Sequence, residues 1–162
     1  MASLWLAGTA YAFWSFEIKH QRTVLFDSTT QSRSAEAWFR AAVAPGAGVA
    51  TVVHVYEANC PCNRFTHPHL ARIISAYQQH GVRFVSVARG TPGLAWIEAT
   101  PAALVFDANG RLVYFGPYSD SARCGDSGGL VERVLDRMLA GQAPHPQAFY
   151  GGGCFCGREN RI

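Results

Sequence analysis

The chain has 162 residues, 49% of them apolar and 15% charged, with a net charge of +3. This excludes a disordered chain and a polytopic membrane protein, and leaves room for one domain with short extensions. The cations are 13 Arg and one Lys in no dense run, so nucleic acid is not an expected partner.

Residues 2–18 (ASLWLAGTAYAFWSFEI) carry a single charge, Glu17. As a helix they would span about 25 Å, close to a hydrocarbon core of about 30 Å. Trp5, Tyr11, Trp14 and Phe16 suit a membrane interface. Residues 1–18 are therefore expected to be a transmembrane or signal-anchor segment. No Lys or Arg precedes the run, and Lys19 and Arg22 follow it; a start upstream of Met1 would supply the missing basic leader.

Residues 19–48 read as a polar juxtamembrane linker ending in a short helix, capped by Ser34 and stopped at Pro45-Gly46. Residues 49–56 (VATVVHVY) form a β-branched run, predicted to be a buried central strand. It leads straight into Cys60-Pro61-Cys62. A helix is predicted over 62–79, with Phe65, Leu70, Ile73, Ile74 and Tyr77 at helical spacing and His80-Gly81 as its stop. Strands are predicted at 82–88 (VRFVSVA) and 102–107 (AALVFD). Asn109-Gly110 then turns the chain into a returning strand at 111–115, and a last helix runs over 127–139. The order implies an α/β domain over 49–141: a mixed central sheet flanked by helices. Residues 142–162 read as a Pro/Gly/Cys-rich tail.

The five cysteines fall as Cys60-Pro-Cys62, a lone Cys124 and Cys154-Phe-Cys156. Close pairs belong to redox chemistry or to metal sites. Cys60 sits at a predicted helix N-terminus, where unpaired N–H groups favour the thiolate, the attacking species in disulfide exchange. His67 and His69 invite a metal reading with the cysteine pair. Seven residues of helix, a rise of about 10 Å, separate Cys60 from His67, too far for ligands of one ion. No metal is assigned to them, and they are expected to be solvated or to cap the helix.

Over residues 49–140 the chain resembles the thioredoxin-like superfamily. The resemblance rests on a buried strand entering a cysteine pair that opens a helix, on Pro68 eight residues after Cys60, on Thr100-Pro101 before the hairpin, and on a terminal amphipathic helix. It implies that Cys60 attacks and Cys62 resolves, closing a disulfide between them. It implies a cis Pro101 whose neighbour Thr100 pairs with an extended substrate. It puts His54 in place of a buried acidic residue, as a proton shuttle or simply a core histidine. The family motif is Cys-x-x-Cys, so Asn63 falls on the resolving position and Cys62 one residue short of it.

Three tail arrangements stay open: a Cys124 staple to Cys154 or Cys156, electron exchange between the tail pair and Cys60-Pro-Cys62, and copper(I) binding by thiolates. The leading expectation is a thiol–disulfide oxidoreductase acting on protein thiols and disulfides. It would use no cofactor beyond its cysteines and would sit in a bacterial inner membrane facing the periplasm, with a membrane redox partner as a further candidate. The alternatives are a copper-handling protein on the same fold and a non-catalytic adaptor.

Overall fold

The computed structural model describes residues 2–46, 48–119, 129–142 and 144–157. Cys124, one of the expected accessory thiols, lies outside them. A four-stranded sheet is the centre of the molecule. Its strands are β2 (Ala50–Tyr56), β3 (Val82–Ala88), β5 (Ala102–Asp107) and β6 (Leu112–Gly116), in the order β3-β2-β5-β6. β2 runs parallel to β3 and antiparallel to β5, and β5 is antiparallel to β6. The mixed sheet expected from the sequence is therefore present. β2 and β5 are its interior strands, and their β-branched and small residues are buried on both faces, which is why they read as continuous apolar runs.

Alternate residues feed two cores. Val53, Val55, Leu104 and Phe106 point to one face, where α2 (Ser28–Ala42) contributes Ala35, Trp38 and Phe39. Phe39 stacks on Phe106 with ring centroids 4.2 Å apart. Val52, Ala103 and Val105 point to the other face, against Leu70 and Ile73 of α3 (Asn63–Tyr77) and Val131 and Leu135 of α4 (Leu130–Leu139). After α3 and a single 3₁₀ turn, the chain reverses through Gly81 at φ +80°, a conformation that favours glycine.

The ends of the chain differ from expectation. α1 (Ala2–Phe13) has twelve residues, a rise of about 18 Å, and continues only as a π-helical turn over Trp14–Ile18. No helix among the described residues is long and apolar enough to cross a membrane, which corrects the expected N-terminal membrane helix. The helix stops there, and the polar residues that follow lead into a sheet. β1 (Gln21–Asp27) pairs antiparallel with β7 (Ala148–Cys154), from Gln21 opposite Cys154 to Asp27 opposite Ala148. The expected polar linker is thus a strand, and the expected tail is its partner.

α2 also begins earlier than the Ser34 cap implied. Asp27 is the cap, its carboxylate accepting from the amides of Thr29 and Thr30 at 2.9 and 3.0 Å. Hydrogen bonds from the Thr29 and Thr30 hydroxyls, with those from the two amides, hold the Asp27 carboxyl well below the usual carboxylate range. A third, two-stranded pairing joins β4 (Ala99–Thr100) to β8 (Cys156–Gly157). Glycine is needed at 157, since a Cβ there would stand 2.2 Å from the Glu98 carbonyl oxygen.

Candidate functional site

The strand β2 delivers the chain to a tight turn at Glu57–Cys62, from which α3 starts. The Cys60 amide donates to the Glu57 carbonyl at 3.0 Å, and the Asn63 amide to the Cys60 carbonyl at 3.1 Å. Asn63, on the family's resolving position, braces the turn instead: its side-chain amide donates to the Glu57 carbonyl at 2.8 Å. The Glu57 carboxylate is in turn held by two hydrogen bonds from Arg89, at 2.9 and 3.0 Å. Cys60 is thereby fixed at the mouth of α3, as the sequence placed it.

Its sulfur partner is not the expected one. Cys60 is bonded to Cys156 and Cys62 to Cys154, with Cα atoms 5.8 and 5.5 Å apart. The expected Cys60–Cys62 bond is corrected by this pairing. The reason is geometric: both pairs have one residue between their cysteines, so two facing segments can bond twice. That doubled bond also replaces the expected staple from Cys154 or Cys156 to Cys124. All four cysteines are buried and pack against Phe65. Across the two bonds, Cys156 Sγ lies 4.0 Å from Cys62 Sγ.

The Thr100–Pro101 peptide is cis. Thr100 is the residue opposite Cys156 in the β4–β8 pair, and its hydroxyl donates to the Cys156 carbonyl at 3.4 Å. Cys60 Sγ reaches the Thr100 carbonyl at 3.9 Å. The chain's own tail therefore lies along the edge that the family resemblance assigns to an extended substrate. A cavity of about 210 Å³, lined by Arg22, Glu98 and Gly157 among others, opens beside Cys156.

His54 is buried on β2, and its Nδ1 hydrogen-bonds the Tyr118 hydroxyl at 2.8 Å. Its Nε2 is buried and has no hydrogen-bond partner among the described residues, where neither ring nitrogen is bonded to a cysteine. Burial, with a smaller contribution from His67, lowers its pKa to about 4. Burial also pushes the Tyr118 phenol up, with the Glu132 carboxylate adding to it. His67 is exposed, but His69 is not solvated as expected: it is 1% exposed, with Nε2 2.5 Å from Glu132 Oε1 of α4.

One residue at the site was missed by sequence reasoning. His20 Nδ1 lies 4.0 Å from Cys156 Sγ, and the Phe155 amide donates to the His20 carbonyl at 2.8 Å. Burial, Lys19 and Arg22 lower the His20 pKa, against a smaller raising effect of the Phe155 hydrogen bond. His20 lies in what read as a linker, and no local pattern marks it.

A family model described as a domain of unknown function, DUF6436, matches residues 24–158. The chain belongs to this family. The match runs from within β1 through β8, so it takes in the sheet, most of the flanking strands and all four bonded cysteines. No curated protein sequence matches the chain. Among solved structures, an uncharacterised conserved protein from Geobacillus kaustophilus is similar at 19% identity, with a TM-score of 0.53 over 74% of this chain and 82% of that one. A hypothetical protein from Sinorhizobium meliloti 1021 is similar at 18% identity and TM-score 0.51, over 68% of this chain and 79% of that one. A thioredoxin-like protein in its oxidised form matches at 19% identity and TM-score 0.44, over 59% and 80%. The strand order, the helix that follows the cysteine turn and the cis proline make the fold thioredoxin-like.

Proposed function

We propose that the protein is a thiol–disulfide oxidoreductase acting on protein thiols or disulfides, with the Cys60–Cys156 bond as its reacting group. The observation that carries this reading is the position of that bond. Its Cys60 sulfur sits at the start of α3, and its Cys156 sulfur sits on a strand paired with Thr100 beside cis Pro101. Cys156 thus stands where a substrate cysteine would stand in a mixed disulfide.

In the oxidising direction, a thiolate of a substrate dithiol attacks Cys156 Sγ through the adjoining cavity. The Cys60–Cys156 bond breaks and the electron pair leaves on Cys60 Sγ. The dipole of α3, at whose start Cys60 sits, stabilises that thiolate, which makes Cys60 the better leaving group. The second substrate thiolate then attacks its own sulfur in the mixed disulfide and releases Cys156. The substrate loses two electrons and two protons, and Cys60 and Cys156 gain them. The reverse sequence reduces a substrate disulfide. Thr100 and Pro101 shape the edge on which β8, or a substrate in its place, is held.

The second disulfide extends the capacity. A released Cys156 thiolate is 4.0 Å from Cys62 Sγ, so its attack there would break Cys62–Cys154 and pass the exchange on. Full reduction takes four electrons. His54 takes no part in these steps; it orders Tyr118. Two disulfides suit an oxidising compartment such as the periplasm.

Cys60→Ser and Cys156→Ser are expected to abolish insulin reduction and dithiol oxidation, whereas Cys124→Ser keeps both. Cys154→Ser is expected to keep the first exchange and to halve the electrons taken up per molecule. Full activity in Cys60→Ser would sink the reading.

A further inference from the structure

We propose that the reduced protein holds one soft or borderline d¹⁰ cation, zinc(II) or copper(I), through His20 Nδ1, Cys62 Sγ and Cys156 Sγ. These three atoms lie within 4.8 Å of one another. The two sulfurs are 4.0 Å apart, and His20 Nδ1 is 4.0 Å from Cys156 Sγ. A tetrahedral zinc ion with metal–sulfur bonds of about 2.3 Å and metal–nitrogen bonds of about 2.0 Å needs sulfurs about 3.8 Å apart and a nitrogen about 3.6 Å from each. The three donors are therefore already spaced for a common ion, and the closing movement is about 1 Å or less.

The three donors come from three separate parts of the chain, and each is held by something other than a metal. Cys62 opens α3. Cys156 is fixed by its pairing with Thr100. His20 is tied to the same strand by the hydrogen bond from the Phe155 amide. The fourth position falls to Cys60 or Cys154, each of which is bonded to one of the two sulfur ligands in the oxidised state. Thiolate and imidazole donors suit zinc(II) and copper(I) rather than hard cations.

The site is gated by oxidation. Cys62 and Cys156 belong to different disulfides, and a sulfur in a disulfide is not a thiolate. Both bonds must open before the ion can enter. Opening them takes four electrons from a thiol or phosphine reductant and four protons, supplied by the thiols or, with a phosphine, by water, which also gives the phosphine its oxide oxygen; binding then releases protons from the ligating thiols. Disulfide and metal thus exclude each other. The inference rests on the position of His20, not on exchange activity, and it is read without any substrate.

The test uses the full chain carrying Cys124→Ser, so that the fifth thiol contributes nothing. It is reduced anaerobically with a phosphine, desalted, and titrated with zinc(II) against a chromophoric chelator. Copper(I) is titrated in parallel against a copper(I)-specific chelator, and cobalt(II) serves as the spectroscopic probe. One equivalent is expected in the reduced chain and none in the oxidised chain. The arm with the tighter binding identifies the ion. Cobalt(II) is expected to show the intense absorption of a tetrahedral sulfur–nitrogen site. His20→Ala is expected to weaken binding by about tenfold or more and to change the cobalt spectrum, and Cys156→Ser to abolish binding. An unchanged affinity and cobalt spectrum in His20→Ala would overturn the proposal. So would a reduced chain that binds no ion, whether it keeps its circular dichroism or loses it without recovery on adding metal.

Discussion

The four-stranded sheet and the flank of β1, β7 and β8 are built from different material. The sheet is made of β-branched and aromatic side chains buried on both faces, and its interior strands are held by apolar area on two sides. The flank contains Gly151-Gly-Gly153, and Tyr150 and Leu25 on it are 73% and 51% exposed. It is held by the β1–β7 and β4–β8 pairings, by Phe26 and Phe155, which are buried against Phe115 and its neighbours, and by two disulfides to the start of α3. The sheet's stability is spread over many apolar contacts, whereas the flank has fewer of them and adds two bonds that can be chemically opened. Each reactive bond joins one cysteine on the flank to one at the start of α3, so opening it loosens the flank from the scaffold.

Opening the disulfides should separate the two regions most. The bonds close loops of 96 and 92 residues that are nested, so either bond alone constrains nearly the whole of the long loop. Cys154→Ser or Cys156→Ser alone is expected to cost little, because the surviving bond still closes the long loop. The double variant is expected to lose about 4–5 kcal/mol, far more than the sum of the two. Urea unfolding of the three variants measures this. Hydrogen exchange on the double variant is expected to show β7 and β8 less protected than β2 and β5.

Phe106→Ala is the corresponding break in the sheet. Phe106 is fully buried and stacked on Phe39, so its removal is expected to cost about 4 kcal/mol with both disulfides intact. A loss confined to exchange at β7 would contradict the division drawn above.

A third prediction concerns His54, at the heart of the sheet. Its folded pKa of about 4 lies below the ordinary value of 6.5. Between those values the unfolded chain binds a proton that the folded chain refuses. Stability is therefore expected to fall as pH drops from about 6.5 to about 4, by at most about 3 kcal/mol. His54→Asn, which keeps a partner for Tyr118, should flatten the pH dependence of the urea midpoint in that window.

The smallest expected effect is at the joint between the regions. Ser28 is buried; its hydroxyl accepts from the Phe115 amide of β6 at 2.9 Å, and its own amide donates to the Gln147 carbonyl ahead of β7 at 3.2 Å. Ser28→Ala leaves the Phe115 amide without that acceptor and is expected to cost about 2 kcal/mol. Ser28→Thr, which keeps a hydroxyl, separates that loss from the loss of the side chain's volume.

The sequence was legible where local pattern and tertiary role agree. The runs VATVVHVY, VRFVSVA and AALVFD are strands within one residue of where their composition placed them; VATVVHVY and AALVFD are interior strands buried on both faces, which must be apolar throughout, and VRFVSVA is a half-buried, β-branched edge strand. The turn before Cys60, the helix after it and the cis bond at Pro101 were legible through the resemblance. β1 was not, because its Thr-Val-Leu-Phe core is short and flanked by polar residues, and a single edge pairing with a glycine-rich partner needs little hydrophobic pattern. The apolar N-terminal run was misleading for the opposite reason. Its composition suits a membrane, but its helix ends where His20 and β1 are drawn to the tail.

What the residues determined by themselves is the central sheet, its two helical faces and the position of Cys60, all properties of neighbours along the chain. Only the tertiary structure decided which sulfurs meet. Disulfide partners and the approach of His20 depend on distances across more than ninety residues. No periodicity encodes those distances, and they are set when the last strand folds back over the first turn of α3. The matched Cys-x-Cys spacing at 60–62 and 154–156 was the one sequence signal that such a doubled bond could form.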